Sequence, residues 1–339
     1  MKTEVFFSRP GLSDGTRWSS EDDRFELRRG EQVFQLRGLP QAVAPKVHEW
    51  LRGCAEDEAP LLPGAGRGEP WQLPVLRALD DAGLVVERPL PQARQSGVAV
   101  LSRIEQRLAA FNLELARTPH DTFTRTLARR EASPALLRGN AIEYYFITLA
   151  AYDCLAPCLP RVSGGLQHLL AAFMLDEYRH DLILQRAVVD YGIGEDELAD
   201  IVPLAHTSAV ANQLFYYAHT DPLSLLACLF VLEGRPAAGQ NYIDLLGDNG
   251  APAVYVESHR EHDRINANND HATISRQAYK LIEHVSEEDE VRITQRVLML
   301  QRLGHERDRQ ILEYYGNASR PATRRTAALE PRVPVPGLH

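Results

Sequence analysis

Leu169-Leu170-Ala171-Ala172-Phe173-Met174-Leu175-Asp176-Glu177-Tyr178-Arg179-His180-Asp181-Leu182-Ile183-Leu184 is the stretch on which the reading of the chain turns. The apolar run is periodic enough to predict a core helix over 165–191, and it carries a Glu-x-x-His pair, Glu177 and His180. Residues i and i+3 are neighbours on a helix, so a carboxylate and an imidazole would share one face. Facing the inside of a helical bundle, such a pair is the ligand unit of carboxylate-bridged dinuclear metal centres. A surface Glu–His pair meets the same pattern, so the rest of the chain has to decide.

Three further segments place charge where an apolar helix should not bury it uncompensated. Glu143 stands alone among Ala141, Ile142, Tyr144, Tyr145, Phe146 and Ile147, and its plainer role is a core-edge carboxylate bonded to a tyrosine or arginine. Glu233 closes the apolar run 225–232, either as a helix end reaching water or as a buried ligand. His259 and Asp263 fall at i and i+4, with Asn266 continuing the same face. A solvent-facing polar helix would look similar. Asp176 and Asp181 read as solvated or supporting groups. His262 reads as exposed, and His168, His206, His219, His271 and His284 have no carboxylate partner at ligand spacing.

The surroundings favour a helical container. From about residue 98 the pattern predicts helices at 98–116, 120–131, 134–155, 165–191, 195–204, 208–219, 223–246, 252–268, 273–285 and 287–315, with Pro and Gly at the breaks. Residues 1–95 read differently, with short strands at 25–27, 33–36 and 84–87 and helices at 42–51 and 72–82, a winged-helix-like α+β order. A Gly, Pro and acid-rich loop (56–70), a linker at 89–97 and a disordered tail at 317–339 complete the expected organisation. The net charge of −9 argues against a nucleic-acid partner. No run reaches transmembrane length and the start lacks a signal peptide, so the expected location is cytoplasmic, away from membranes. Four scattered cysteines (Cys54, Cys154, Cys158, Cys228) are expected as buried free thiols.

The ordered set Glu, Glu-x-x-His, Glu, His-x-x-x-Asp over residues 100–316 resembles the heme-oxygenase-like di-metal oxidases and oxygenases. That resemblance implies a mainly α, heme-oxygenase-like helical bundle and a metal set of Glu143, Glu177, His180, Glu233, His259 and Asp263. It also implies two Fe(II) per chain, with Mn possible, O2 as cosubstrate, and homodimers as in related folds. The family's final histidine falls on Asn266, a poor iron ligand beside imidazole, unless His262 or His271 substitutes from another register. In the first 95 residues, Leu79, Gly83, Leu84 and Val85, preceded by Phe34, Leu36, Val47 and Leu51, resemble the peptide-recognition domains of ribosomal-peptide modification enzymes, which include the PQQ peptide chaperone. Such domains take a leader peptide as an added strand.

The expected function is therefore O2-dependent oxidation of an amine or amino-acid-like small molecule, or of a peptide-borne substrate, in natural-product biosynthesis. Rival readings are a cofactor-free oxidase of the PQQ-synthesis type, a thiaminase-like hydrolase using Cys154 or Cys228, heme cleavage with His120 as axial ligand, and a non-catalytic scaffold with a degenerate site.

Overall fold

The computed structural model describes residues 7, 10–13, 15–21, 24–55, 69–88, 95–233 and 241–325. The N-terminal part runs β1 (Pro10–Leu12), β2 (Thr16–Glu21), β3 (Arg24–Arg29), β4 (Gln32–Leu36), α1 (Ala44–Ala55), α2 (Gln72–Asp81) and β5 (Val85–Glu87). β2, β3 and β4 form an antiparallel meander, while β1 pairs with β5. The expected strands and helices are present; β1 and β2 are additions, because the Thr-Arg-Trp-Ser-Ser-Glu of β2 lacks apolar alternation. Alternation in β3 buries Phe25 and Leu27 against Val47, Leu51, Leu76 and Leu79. Gly83, at φ 66°, ends α2: its N–H bonds Asp80 O while Leu84 N–H reaches back to Leu79 O, a closure that needs the left-handed backbone glycine supplies. Most of the expected 56–70 loop, and residues 89–94 of the linker, lie outside the described residues.

The helical part comprises α3 (Gly97–Ala116), α4 (Phe123–Ala128), α5 (Pro134–Leu155), α6 (Gly164–Glu177), α7 (Asp181–Asp190), α8 (Glu195–Ala199), α9 (Ala205–Thr220), α10 (Pro222–Glu233), α11 (Tyr242–Asp248), α12 (Ala253–Asn268), α13 (Ile274–Lys280) and α14 (Glu287–Tyr315). Serines start three of them: Ser96, Ser133 and Ser286 accept hydrogen bonds from Ala99 N, Leu136 N and Asp289 N. Two apolar cores result. Leu101, Phe173, Leu225, Tyr279 and Ile293 belong to one, and Phe123, Ile142, Val188, Tyr255 and Ile311 to the other. The 29 residues of α14 extend about 43 Å at 1.5 Å per residue, long enough to serve both. All four cysteines are buried and free. No helix among the described residues is long and apolar enough to cross a membrane.

Two expected helices are each split. The 165–191 helix breaks after Glu177, where Tyr178 turns extended (ψ 121°) and Arg179 takes φ 70°. A left-handed non-glycine residue costs roughly 1–2 kcal/mol, so the surrounding packing must hold this turn. The 223–246 helix becomes α10 and α11, with 234–240 outside the described residues. The tail also differs from expectation over 317–325: Val202 N bonds Arg324 O, Arg324 Nη1 bonds Pro203 O, and Arg325 pairs with Glu197. Residues 326–339 lie outside the described set. Arg276 on α13 joins the two parts, pairing with Asp80 at the end of α2 and, through Nε at 2.9 Å and Nη2 at 2.6 Å, with the Glu105 carboxylate on α3.

Candidate metal centre

Glu177 ends α6 and His180 caps α7, so the pair meets across the Arg179 turn rather than along one continuous helix. Glu177 Oε2 lies 3.2 Å from His180 Nδ1, and Oε1 lies 3.1 Å from His271 Nδ1. Glu233, the last residue of α10, places Oε2 3.7 Å from the same His271 nitrogen. One donor atom from each of Glu177, Glu233 and His271 lies within 4.8 Å of the others, close to the span of two metal–ligand bonds of about 2.1 Å.

His271, which the sequence offered only as a substitute from another register, is the candidate ligand that motif spacing did not single out. It is 1% exposed and opens a 3₁₀ turn, His271–Thr273, directly after Asp270 at φ 55°. The run Asn266-Ala267-Asn268-Asn269-Asp270 is poor in helix formers, and Asp and Asn tolerate the left-handed conformation that folds the chain back beneath α12. That polar turn was the available signal. Asp176 Oδ2 stands 3.6 Å from His271 Nε2, at the other ring nitrogen, where a carboxylate can orient a ligating imidazole.

Four further polar residues, His259, His262, Asp263 and Asn266, surround this trio. His259, on α12, is buried, with its ring against Tyr144 (4.6 Å), Tyr255 (4.9 Å) and Tyr242 (5.4 Å). His262 is not exposed as expected: its ring packs 5.1 Å from that of His180. Asp263 lies at the cavity wall and is exposed. Asn266 donates Nδ2–H to Glu233 Oε2 at 3.0 Å, so the asparagine in the histidine position holds the rotamer of a neighbouring carboxylate.

Glu143 is elsewhere. It is fully buried on α5, where its carboxylate accepts the Leu204 N–H (3.0 Å to Oε2) at the start of α9 and the Tyr315 hydroxyl (2.8 Å to Oε1) from α14. The structure does not bring it to the Glu177–Glu233–His271 cluster, and the plainer sequence reading, a core carboxylate bonded to a tyrosine, describes its surroundings.

Burial alone would raise the Glu177 carboxyl, yet the two imidazoles against it bring it down to about 2. Glu233 goes up, through burial and the facing charge of Glu177. Burial works against a charged His271, but Glu177 and Glu233 outweigh it and raise the imidazole to about 9. His259 and His262, buried with less carboxylate around them, are depressed to about 3 and about 4. The neutral imidazoles are ready lone-pair donors.

The decisive feature is the unsatisfied set. Glu177 Oε1, His180 Nδ1, His259 Nε2, Asn266 Oδ1 and both nitrogens of His271 are buried without a hydrogen-bond partner. The 3.1 and 3.2 Å approaches among them lack hydrogen-bond angles. Native proteins leave few buried polar atoms unpaired, because each costs about 1–3 kcal/mol. Donor atoms gathered without bonding one another, in a set of carboxylates and imidazoles, fit a ligated iron or manganese ion.

Residues 138–305 match the family model of an iron-containing redox enzyme. The matched span contains every donor described above, and the matching family suggests an oxidoreductase. No curated protein matches the chain in sequence. Among solved structures, it is similar to a domain of unknown function with a heme oxygenase-like fold from Shewanella denitrificans, at 16% identity, with 63% of this chain and 90% of that one covered and a TM-score of 0.48. It is also similar to a TenA homolog from Pseudomonas syringae pv. tomato, at 14% identity, 67% and 96% coverage and a TM-score of 0.47.

A cavity of about 660 Å³ is lined by Glu177, Glu233, His259 and His262 on its polar side and by residues such as Phe173 and Leu229 on its apolar side. Cys154 also lines it, but its thiol donates to Ala211 O at 3.2 Å and burial pushes it up to about 11, which is unfavourable for a thiolate nucleophile. His120, the heme-ligand alternative, is exposed.

Proposed function

We propose that this chain is an O2-dependent non-heme iron oxidase or oxygenase whose centre is built on Glu177, Glu233 and His271, with His180, His259 and Asp263 completing a second iron position. The observation that carries the reading is the group of buried, unpartnered donor atoms, of which Glu177, His259 and Asn266 also line the cavity. Iron bound there supplies the redox chemistry that activates O2 for attack on an organic substrate. The chain's own residues supply the setting. Asn266 fixes the Glu233 rotamer, Asp176 stands behind His271, and Tyr144, Tyr242 and Tyr255 enclose His259. The apolar part of the wall lowers the local polarity beside the carboxylates and imidazoles, which strengthens charge interactions there.

The substrate in this reading is an amine or amino-acid-like compound of a natural-product pathway. Delivery on a leader peptide would use an outer strand of the meander, β2 or β4, since β3 is paired on both sides. Anaerobic Fe(II) loading followed by metal analysis and O2 uptake tests the proposal. Wild type should bind about two irons per chain and consume O2, while Glu177→Ala and Glu233→Ala should lose metal. Absence of specific iron, or equal uptake by wild type and both variants, would sink it.

A further inference from the structure

Arg307, on α14, lines the same cavity as the donor cluster. Its Nε and Nη2 are buried with no hydrogen-bond partner among the described residues. The acids beside it in sequence are engaged elsewhere: Glu306 pairs with Arg309 at 2.8 Å, and Asp308 accepts from Thr124 N at 3.1 Å and Thr124 Oγ1 at 3.2 Å. A guanidinium cannot shed its proton at ordinary pH, so it has no neutral form with which to escape burial. Leaving such a charge unpaired is costly unless something else arrives to pair it.

This cation lines one cavity together with Tyr144 and with Glu177 and Glu233 of the donor cluster. Burial pushes up the Tyr144 phenol, Tyr242, Glu233 and Glu177 raise it further, and Arg307 works in the opposite sense. His259 and His262 line this cavity too, so the cation shares its space with carboxylates and imidazoles. Leu155, Phe173, Leu214 and Leu229 supply an apolar wall in the same space. One unpaired guanidinium, an apolar surface and a volume typical of small-molecule sites together define an amphiphilic ligand with an anionic end.

We infer that Arg307 anchors the carboxylate of the substrate, so that the chain acts on a carboxylic acid with an apolar body rather than on a neutral or purely cationic compound. Arg is suited to this because its planar fork takes a carboxylate in two parallel hydrogen bonds. The inference rests on the oxidase reading for what is done to the substrate, but the anchoring does not depend on metal. Arg307 also lies beyond the segment that matches the redox-enzyme family, 138–305.

The test is calorimetric titration of the full chain with decanoate, 1-decanol and decylamine, in the presence and absence of Mn(II). Wild type should prefer decanoate over decanol by roughly tenfold or more, the scale of a charge-assisted pair. Arg307→Met should abolish that preference while binding decanol within about twofold of wild type, which checks that the cavity is intact. Arg307→Lys should keep part of the preference, since it retains the charge but not the fork. Equal affinity of wild type for decanoate and decanol, stronger binding of decylamine, or no binding of any probe would overturn the inference. So would decanoate affinity that needs Mn(II) and is unchanged in Arg307→Met; that outcome would leave the metal proposal standing. Arg307-dependent decanoate binding by a chain that takes up no Mn(II) would uphold the anchor and sink the metal centre instead.

Discussion

Replacing Glu143 by glutamine separates two roles that a buried glutamate can have. In the structure both carboxylate oxygens are used: Oε2 accepts the Leu204 N–H at 3.0 Å and Oε1 the Tyr315 hydroxyl at 2.8 Å. The charge also sits at the N-terminal end of α9, where a helix favours an anion. Glutamine keeps one accepting oxygen and turns an N–H donor toward the other partner. One charge-assisted bond, worth about 1.5–3 kcal/mol, becomes a neutral one of about 0.5–1.5, and the second donor is left unsatisfied at about 1–3 kcal/mol. Removing the buried charge offsets part of this, so the expected net loss is about 2–4 kcal/mol. Denaturation followed by far-UV circular dichroism reads it from the helices. Tryptophan fluorescence would report on the wrong region, since Trp18, Trp50 and Trp71 are the chain's three tryptophans. Iron uptake by the folded variant should equal that of wild type. If Glu143→Gln lost iron while its stability moved by less than about 0.5 kcal/mol, Glu143 would be a ligand and the anchoring argument would fail.

Two further outcomes follow from other side-chain contacts. Asn266→His removes the 3.0 Å bond to Glu233 Oε2 and puts an imidazole at the cavity wall, so Mn(II) should bind about tenfold more tightly by titration; weaker binding would mean that orienting Glu233 matters more than an added nitrogen. Asp221 gives a clear acid dependence: burial would raise its carboxyl, but Arg292 and Ser224 lower it, and Arg296 also donates to it at 2.7 Å. A lowered folded-state value means stability that is present above the unfolded pKa of about 3.9 and is lost as pH falls through the folded one. Asp221→Asn should therefore be less stable than wild type at pH 7 yet lose less on acidification below about pH 4, as read by thermal melts; parallel acid limbs would contradict this.

The chain's local patterning announced the helical container and singled out several of the side chains that meet at the candidate centre. Sequence pattern predicted α5, α12 and α14 closely because each segment is long, and α5 and α14 have start signals of their own, Ser133 before Pro134 and Ser286 before an acidic first turn. Glu177, His180 and Glu233 stood out because charge inside an apolar run is expensive anywhere. Tertiary structure decided the rest. The turn at Arg179 is left-handed against its residue's preference, so no local rule foretold that Glu177 and His180 would meet across a break. His271 joined Glu177 and Glu233 only because Asp270 reverses the chain, a contact between residues far apart in sequence. Glu143 shows the converse: the sequence marked a buried carboxylate, but whether its lone pairs face a metal or a helix end depends on what packs opposite, and here that is Leu204 and Tyr315. Burial of charge is legible residue by residue; the partner that compensates it is a property of the assembled fold.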